Sequence, residues 1–279
     1  MEISGRTRVL GIIGDPIDHS RSPALHNLFA KAEGIDTVYV PFPLKSGNVG
    51  DALAGAHALH VAGLNVTMPH KKAVIEYLDG IDPAAEALGA VNTLVRTERG
   101  YRGYNTDVVG FEKELKGFQT DFEGQEAIVI GAGGVSGPVI HVLQSMKLSH
   151  IWLLNRTVEK AEEKFGHISN VTVLPLDGFR EIPEGRHLCV QCTGVGMGAS
   201  IGRAPIEDPG FYKRIGKAVD LIYSPEETEF MRLVREAGGE AKNGLEMLLY
   251  QAVESYRLFT GHQVSPETVE MAGKAVCDV

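Results

Sequence analysis

Glu126-Ala127-Ile128-Val129-Ile130 runs directly into Gly131-Ala132-Gly133-Gly134-Val135-Ser136-Gly137, and this stretch decides the fold. A short aliphatic, β-branched run predicts a buried strand, the glycines predict a tight turn, and Val139–Met146 continues at helical spacing. A strand, a glycine-rich loop and a helix in that order form the context of a dinucleotide fingerprint. The first glycine permits the turn and the second lets a diphosphate approach the backbone. The helix start then offers its free N–H groups and the positive end of its dipole. The third position holds Ser136, with Gly137 one place later. The alternative is a glycine-rich turn that binds nothing. Downstream, further strands are expected at Ile151–Leu154, Val171–Leu174, Leu188–Gln191 and Ala218–Ile222, the spacing of a doubly wound parallel sheet.

The end of the second of these strands bears on the cofactor. An NAD site usually places a carboxylate there for the ribose hydroxyls, whereas this chain has Asn155-Arg156-Thr157, with Lys160 one turn on. A guanidinium forks well onto phosphate, so the pattern favours NADP, with NAD still possible. The competing reading is an exposed basic helix start beside Glu159.

Upstream the alternation is similar. Strands are expected at Val9–Ile13, Thr37–Pro41, Val61–Val66 and Val91–Arg96, mostly parallel. Helices are expected near Pro23–Ala32, Val49–Ala58, Lys71–Leu78 and Val108–Lys116, with Ser22 as a cap before Pro23. Small polar residues gather at the strand ends. Ser20 and Ser22 follow the first strand, Asn65 and Thr67 end the third, Lys71 opens a helix and Asn92 lies in the fourth. Polar groups at strand ends converge in a crevice, where they can grip a hydroxylated ligand, although any one of them taken alone reads as a cap or turn residue. Lys71 and Asp107 are the candidates for proton transfer; the plain alternative is a surface ion pair. The last helix, Leu245–Leu258, is expected to pack back on the first domain.

A chain of 279 residues, 43% hydrophobic and 23% charged, is enough for two modest cores or one large one. The formal charge of -9, with basic residues scattered, argues against nucleic acid and anionic membrane as partners and for a small molecule. No apolar run reaches the ~20 residues of a membrane span, and the start lacks a signal-peptide pattern, so a cytoplasmic protein is expected. Cys189 and Cys192 have C-x-x-C spacing, but residues three apart on a strand face opposite ways, and the histidines lack companion ligands; no metal is expected.

The segment Gly14-Asp15-Pro16-Ile17-Asp18-His19-Ser20-Arg21-Ser22-Pro23, with His26-Asn27, resembles the substrate signature of the shikimate dehydrogenase family. Asn65-Val66-Thr67-Met68-Pro69-His70-Lys71, Gly89-Ala90-Val91-Asn92-Thr93 and Gly103-Tyr104-Asn105-Thr106-Asp107 are similar to its lysine, asparagine and aspartate motifs. Asn155-Arg156-Thr157, Asp220-Leu221-Ile222-Tyr223-Ser224-Pro225 and Gly244–Ala252 follow in family order, so the resemblance covers nearly the whole chain.

The resemblance implies two α/β domains with a cleft between them. A substrate and catalytic domain would hold residues 1–107 and 246–279, and a Rossmann-type NADP domain residues 108–245. It implies Lys71 and Asp107 as the catalytic pair, with Ser20, Ser22, Asn65, Thr67, Asn92, Tyr223 and Gln251 beside them on the substrate. On the cofactor side it implies Gly131, Ala132, Gly133, Gly134, Val135, Asn155, Arg156, Thr157, Lys160, Thr193 and Gly244. The implied reaction is reversible hydride transfer between shikimate and 3-dehydroshikimate, part of aromatic amino-acid biosynthesis. Val135-Ser136-Gly137-Pro138 and Gln191-Cys192-Thr193-Gly194 depart from the family pattern. They leave open quinate or another cyclic hydroxy-acid, with either cofactor. A non-catalytic nucleotide-binding regulator is the third reading, disfavoured because both Lys71 and Asp107 are present. Monomer and homodimer are both left open.

Overall fold

The computed structural model describes residues 3–277 and divides the chain into two compact units, residues 1–110 with 248–279, and residues 111–247. In chain order the first unit holds β1 (Arg8–Gly14), α1 (Ser22–Glu33), β2 (Thr37–Pro43), α2 (Val49–Ala58), β3 (Gly63–Val66), β4 (Gly80–Ile81), α3 (Pro83–Leu88), β5 (Thr93–Arg96) and β6 (Tyr101–Tyr104). Helix α4 (Asp107–Lys116) leads into the second unit: β7 (Glu126–Ile130), α5 (Ser136–Ser145), β8 (His150–Leu154), α6 (Val158–Phe165), β9 (Val171–Leu174), β10 (His187–Gln191), α7 (Pro209–Tyr212), β11 (Ile215–Asp220), α8 (Glu229–Glu236) and β12 (Glu240–Asn243). Helix α9 (Leu245–Thr260) returns the chain to the first unit, and α10 (Pro266–Cys277) follows.

The sheet of the first unit runs β2-β1-β3-β5-β6-β4. It is more mixed than the sequence pattern suggests, because β5 lies antiparallel to both β3 and β6. The reason is local: only Thr97–Gly100 separate β5 from β6, which is enough for a hairpin and far too short for a parallel crossover. The core on one face gathers Leu64, Val66, Val74, Val91, Leu94 and Tyr101. The returning helices are anchored in the same unit. Phe259 of α9 lies where a side chain at Gly63 would be, and Glu33 of α1 accepts from the backbone and hydroxyl of Ser265.

The predicted helix at Lys71–Leu78 does not form. Residues 68–74 are turns, followed by one 3₁₀ turn at Ile75–Tyr77. The Lys71 carbonyl accepts the Val91 N–H at 2.8 Å, so it is withheld from the bond that would propagate an α-helix. Lys71 therefore sits on a turn tied to the chain just before Asn92, not at a helix start. Nor does Ser22 cap α1. It is the first helical residue, with Arg21 before it, and its hydroxyl meets that of Tyr39.

The second sheet is parallel throughout, in the order β12-β11-β10-β7-β8-β9. The winding reverses beside β7, and in open parallel sheets the crevice at the carboxyl ends of the strands at such a switch point binds ligands. Ala127–Ile130 are buried on both faces, which explains an uninterrupted apolar run where a half-exposed strand would alternate. Helix α8 shows the complementary pattern: Phe230, Met231 and Val234 face the core and its charged residues face out, and Thr228 caps it by accepting the Met231 N–H. No helix among the described residues is long and apolar enough to cross a membrane.

Candidate active site

In the first unit the polar residues at the strand ends are linked by hydrogen bonds. Lys71 Nζ lies 2.7 Å from Asp107 Oδ2, and Asn92 Nδ2 donates to Asp107 Oδ1 at 2.8 Å. Both carboxylate oxygens are therefore held. Asp107 opens α4, where negative charge is favoured by the helix dipole, and its N–H donates to Asn105 Oδ1. Asn92 is fixed in turn, because its Oδ1 accepts from the Thr106 N–H and from the Thr93 hydroxyl.

The network continues inward. Asn65 Nδ2 lies within donating distance of the Asn92 carbonyl, Thr93 Oγ1 and Ser255 Oγ, and its Oδ1 accepts from the Tyr39 hydroxyl. With only two protons on that nitrogen, the Asn65 amide donors are committed within the protein. Ser22 joins through Tyr39, and the Ser20 hydroxyl accepts the Ser22 N–H at 3.3 Å. Gln251 joins through its backbone carbonyl, which accepts from Ser255 one turn on, while its side chain donates to the Leu248 carbonyl. Thr67 is half-buried, its methyl packed where a side chain at Gly14 would be. Tyr223 stands in the second unit, after β11.

Burial makes this network rigid. Asn65, Asn92, Thr93, Thr106, Asp107 and Ser255 are all nearly inaccessible, whereas the Lys71 side chain keeps 21% of its surface exposed. Each of these buried side chains has a partner within the network, as a stable interior requires. Lys71 reaches solvent, with ammonium protons left to offer. His26 packs behind, stacked on Tyr39 at 4.2 Å; burial pushes it down to about 3, so it stays neutral.

The second unit places the glycine loop directly after β7. Gly131 has φ of +99°, and a side chain there would come within 2.6 Å of Thr193, so the turn itself requires glycine. Gly133 and Gly134 are different. Their backbones lie outside the positive-φ region, and an added Cβ would meet nothing closer than 3.8 Å. Neither conformation nor packing accounts for glycine at these two positions, whereas the close approach of a ligand's phosphates does. The loop thus fits a dinucleotide.

Asn155 Oδ1 accepts the Ala132 N–H and its amide donates to the Thr157 carbonyl, tying the loop to the end of β8. Arg156 and Lys160 are exposed, and neither is in an ion pair among the described residues. Gly244 has a packing reason: a Cβ would lie 2.5 Å from the Leu221 carbonyl oxygen.

Both departures from the family pattern are satisfied internally. The Ser136 hydroxyl donates to the Gly131 carbonyl at 2.7 Å, closing the loop it follows. Gln191 accepts the Thr193 N–H and donates to the Thr193 and Val195 carbonyls, so it shapes the segment against Gly131. Cys189 and Cys192 are buried, and burial pushes the Cys192 thiol up to about 12, which keeps it protonated and unreactive. Sequence reasoning missed Tyr39, Thr93, Thr106, Ser255 and Lys164. Two of these carried a signal: Ser255 and Lys164 each lie four places after a residue already singled out, Gln251 and Lys160, on the same helical face.

Comparison with known proteins places the whole chain in one family. The family model for the shikimate dehydrogenase substrate binding domain matches residues 12–94, that for shikimate/quinate 5-dehydrogenase residues 113–196, and that for the shikimate 5'-dehydrogenase C-terminal domain residues 244–272. The shikimate dehydrogenase (NADP(+)) of Halothermothrix orenii is 40% identical over 271 residues, covering 94% of this chain and 93% of its own. A shikimate dehydrogenase solved in complex with NADP+ superposes with a TM-score of 0.90 at 32% identity, covering 99% of this chain and 98% of that one. The enzyme of Thermus thermophilus, solved with NADP(H) and shikimate, gives 0.84 at 32% identity, covering 96% and 99%. By near-full-length similarity in both sequence and fold, the chain belongs to the shikimate dehydrogenase family.

Proposed function

We propose that the protein is a cytoplasmic NADP-dependent shikimate dehydrogenase, with the first unit binding substrate and the second binding cofactor. The observation that carries this reading is the Lys71–Asp107 pair at 2.7 Å, locked by Asn92, in a chain whose full-length relatives are named for that activity. When bound, NADP supplies the hydride acceptor, and the reduced form the donor. The chain supplies the proton path and the grip.

In the reducing direction the Lys71 ammonium gives a proton to the developing alkoxide; in the oxidising direction it takes the hydroxyl proton. Asp107 aims the ammonium and stabilises its charge, and Asn92 prevents the carboxylate from rotating away. Ser20, Ser22, Thr67 and Gln251 are assigned to the substrate's hydroxyls and carboxylate together with Lys71, Asn92 and Asp107, while Asn65 braces them from behind. Tyr223 is assigned to the substrate as well. The loop Gly131–Val135, with Asn155, Thr157 and Thr193, takes the diphosphate side of the cofactor, and Gly244 keeps the neighbouring backbone close. Arg156 and Lys160 take the 2'-phosphate.

The test is kcat/KM from nicotinamide absorbance, with shikimate and quinate each offered against NADP and NAD. Preference for shikimate with NADP is expected. Turnover with quinate alone, or with NAD alone, overturns the assignment in favour of another cyclic hydroxy-acid or the other cofactor.

A further inference from the structure

Lys164 stands on α6, one turn beyond Lys160, and its Nζ donates to two main-chain carbonyls of the glycine loop, Gly133 at 2.6 Å and Ala132 at 3.3 Å. Carbonyl and N–H point in opposite directions across a planar trans peptide. Two carbonyls drawn to one ammonium therefore turn the next two N–H groups, those of Gly133 and Gly134, together to the far side. Neither of these N–H groups has an acceptor among the described residues, and the side chains absent from both glycines leave that side open. Successive N–H groups converging on open space form an anion nest. The lysine lies on the carbonyl side of the loop, so it braces the nest from behind.

We infer that Lys164 is a positioning residue for the diphosphate of the cofactor, acting through the peptide planes of Ala132 and Gly133 and not through the 2'-phosphate. This rests on the reading of the second unit as the cofactor unit. It also separates two lysines one turn apart, Lys160 serving the group that distinguishes NADP from NAD and Lys164 the group both share.

The test is equilibrium binding, by calorimetry, of four probes: NADP, NAD, adenosine 5'-diphosphate and adenosine 2'-monophosphate. Lys164→Met should weaken NADP, NAD and the 5'-diphosphate by a common factor of about tenfold, the scale of a lost charge-assisted hydrogen bond, and leave the 2'-monophosphate unchanged. Arg156→Ala should do the reverse, weakening NADP and the 2'-monophosphate while sparing NAD and the 5'-diphosphate. A Lys164→Met chain that loses NADP but keeps NAD puts the ammonium on the 2'-phosphate and overturns the inference, as does unchanged binding of all four. If the variant loses the 2'-monophosphate too, Lys164→Arg decides: an arginine can span both carbonyls, so restored 5'-diphosphate binding supports the role and continued loss overturns it. Wild-type protein that binds none of the probes refutes the cofactor reading itself, an outcome distinct from a defect confined to the variant.

Discussion

The polar network of the first unit and the glycine loop of the second solve opposite problems. Around Asp107 the groups are side chains, buried and satisfied by one another, and the Lys71 ammonium is left facing outward. Around Gly133 the groups are main-chain amides, left unsatisfied and uncovered, with glycines that neither packing nor backbone conformation demands. One region is complete in its own side chains; the other stays open because side chains are missing from it. The contrast suits a proton relay, which needs fixed angles, and a phosphate grip, which needs access.

That contrast can be broken at either end. In the finished region Asp107→Asn keeps the shape and removes the charge that aims Lys71. The expected result is a fall in kcat of about a hundredfold, measured by steady-state turnover, with NADP affinity close to wild type. In the open region Gly134→Val adds a side chain where the fold has room. It should leave the thermal midpoint unchanged and weaken NADP and NAD alike by about tenfold, as calorimetric titration would report. A loss of thermal stability in that variant would mean that the glycine serves packing after all.

The smallest effect lies at a buried carboxyl outside both regions. Glu114 of α4 accepts the Met247 N–H at the start of α9, and burial followed by the nearby Glu246 pushes it up to about 8 from an ordinary 4.5. Between those values the unfolded chain has released this proton while the folded chain retains it. Stability therefore falls as pH rises across that window and levels off above about 8. Glu114→Gln, which keeps the acceptor oxygen and cannot ionise, should flatten that part of the pH dependence by a few degrees in the thermal midpoint. An identical slope in the two proteins would remove Glu114 as its source.

How far the sequence could be read follows the range of the interactions. Strand β7 and the turn at Gly131 are set by neighbours within a dozen residues, and the pattern of Glu126–Gly137 states them outright; the helix expected from Val139 begins three residues earlier, at Ser136. Lys71 and Asp107 stand out as motif residues, but their pairing spans 36 positions and depends on sheet order. The expected helix at Lys71 fails because Val91, twenty residues on, takes its carbonyl, and no local propensity reports such a contact. Strand β6 escapes a sequence reading since Tyr101-Arg102-Gly103-Tyr104 lacks a clear alternating pattern and is paired by the hairpin at Thr97–Gly100. Ser255 joins Thr93 from 162 residues away, through a helix that returns only after the whole second unit has been built. Local chemistry is legible in the sequence, and the bracing behind it is not.

We propose that Lys71, held by Asp107, moves the proton. This is tested most directly by measuring kcat with shikimate and NADP, and the Kd of NADP, on one preparation of Lys71→Met. Turnover should fall by about a thousandfold, within the range of general acid–base catalysis, at an unchanged Kd. Turnover within a few-fold of wild type would contradict it and return the pair at 2.7 Å to the status of an ordinary ion pair.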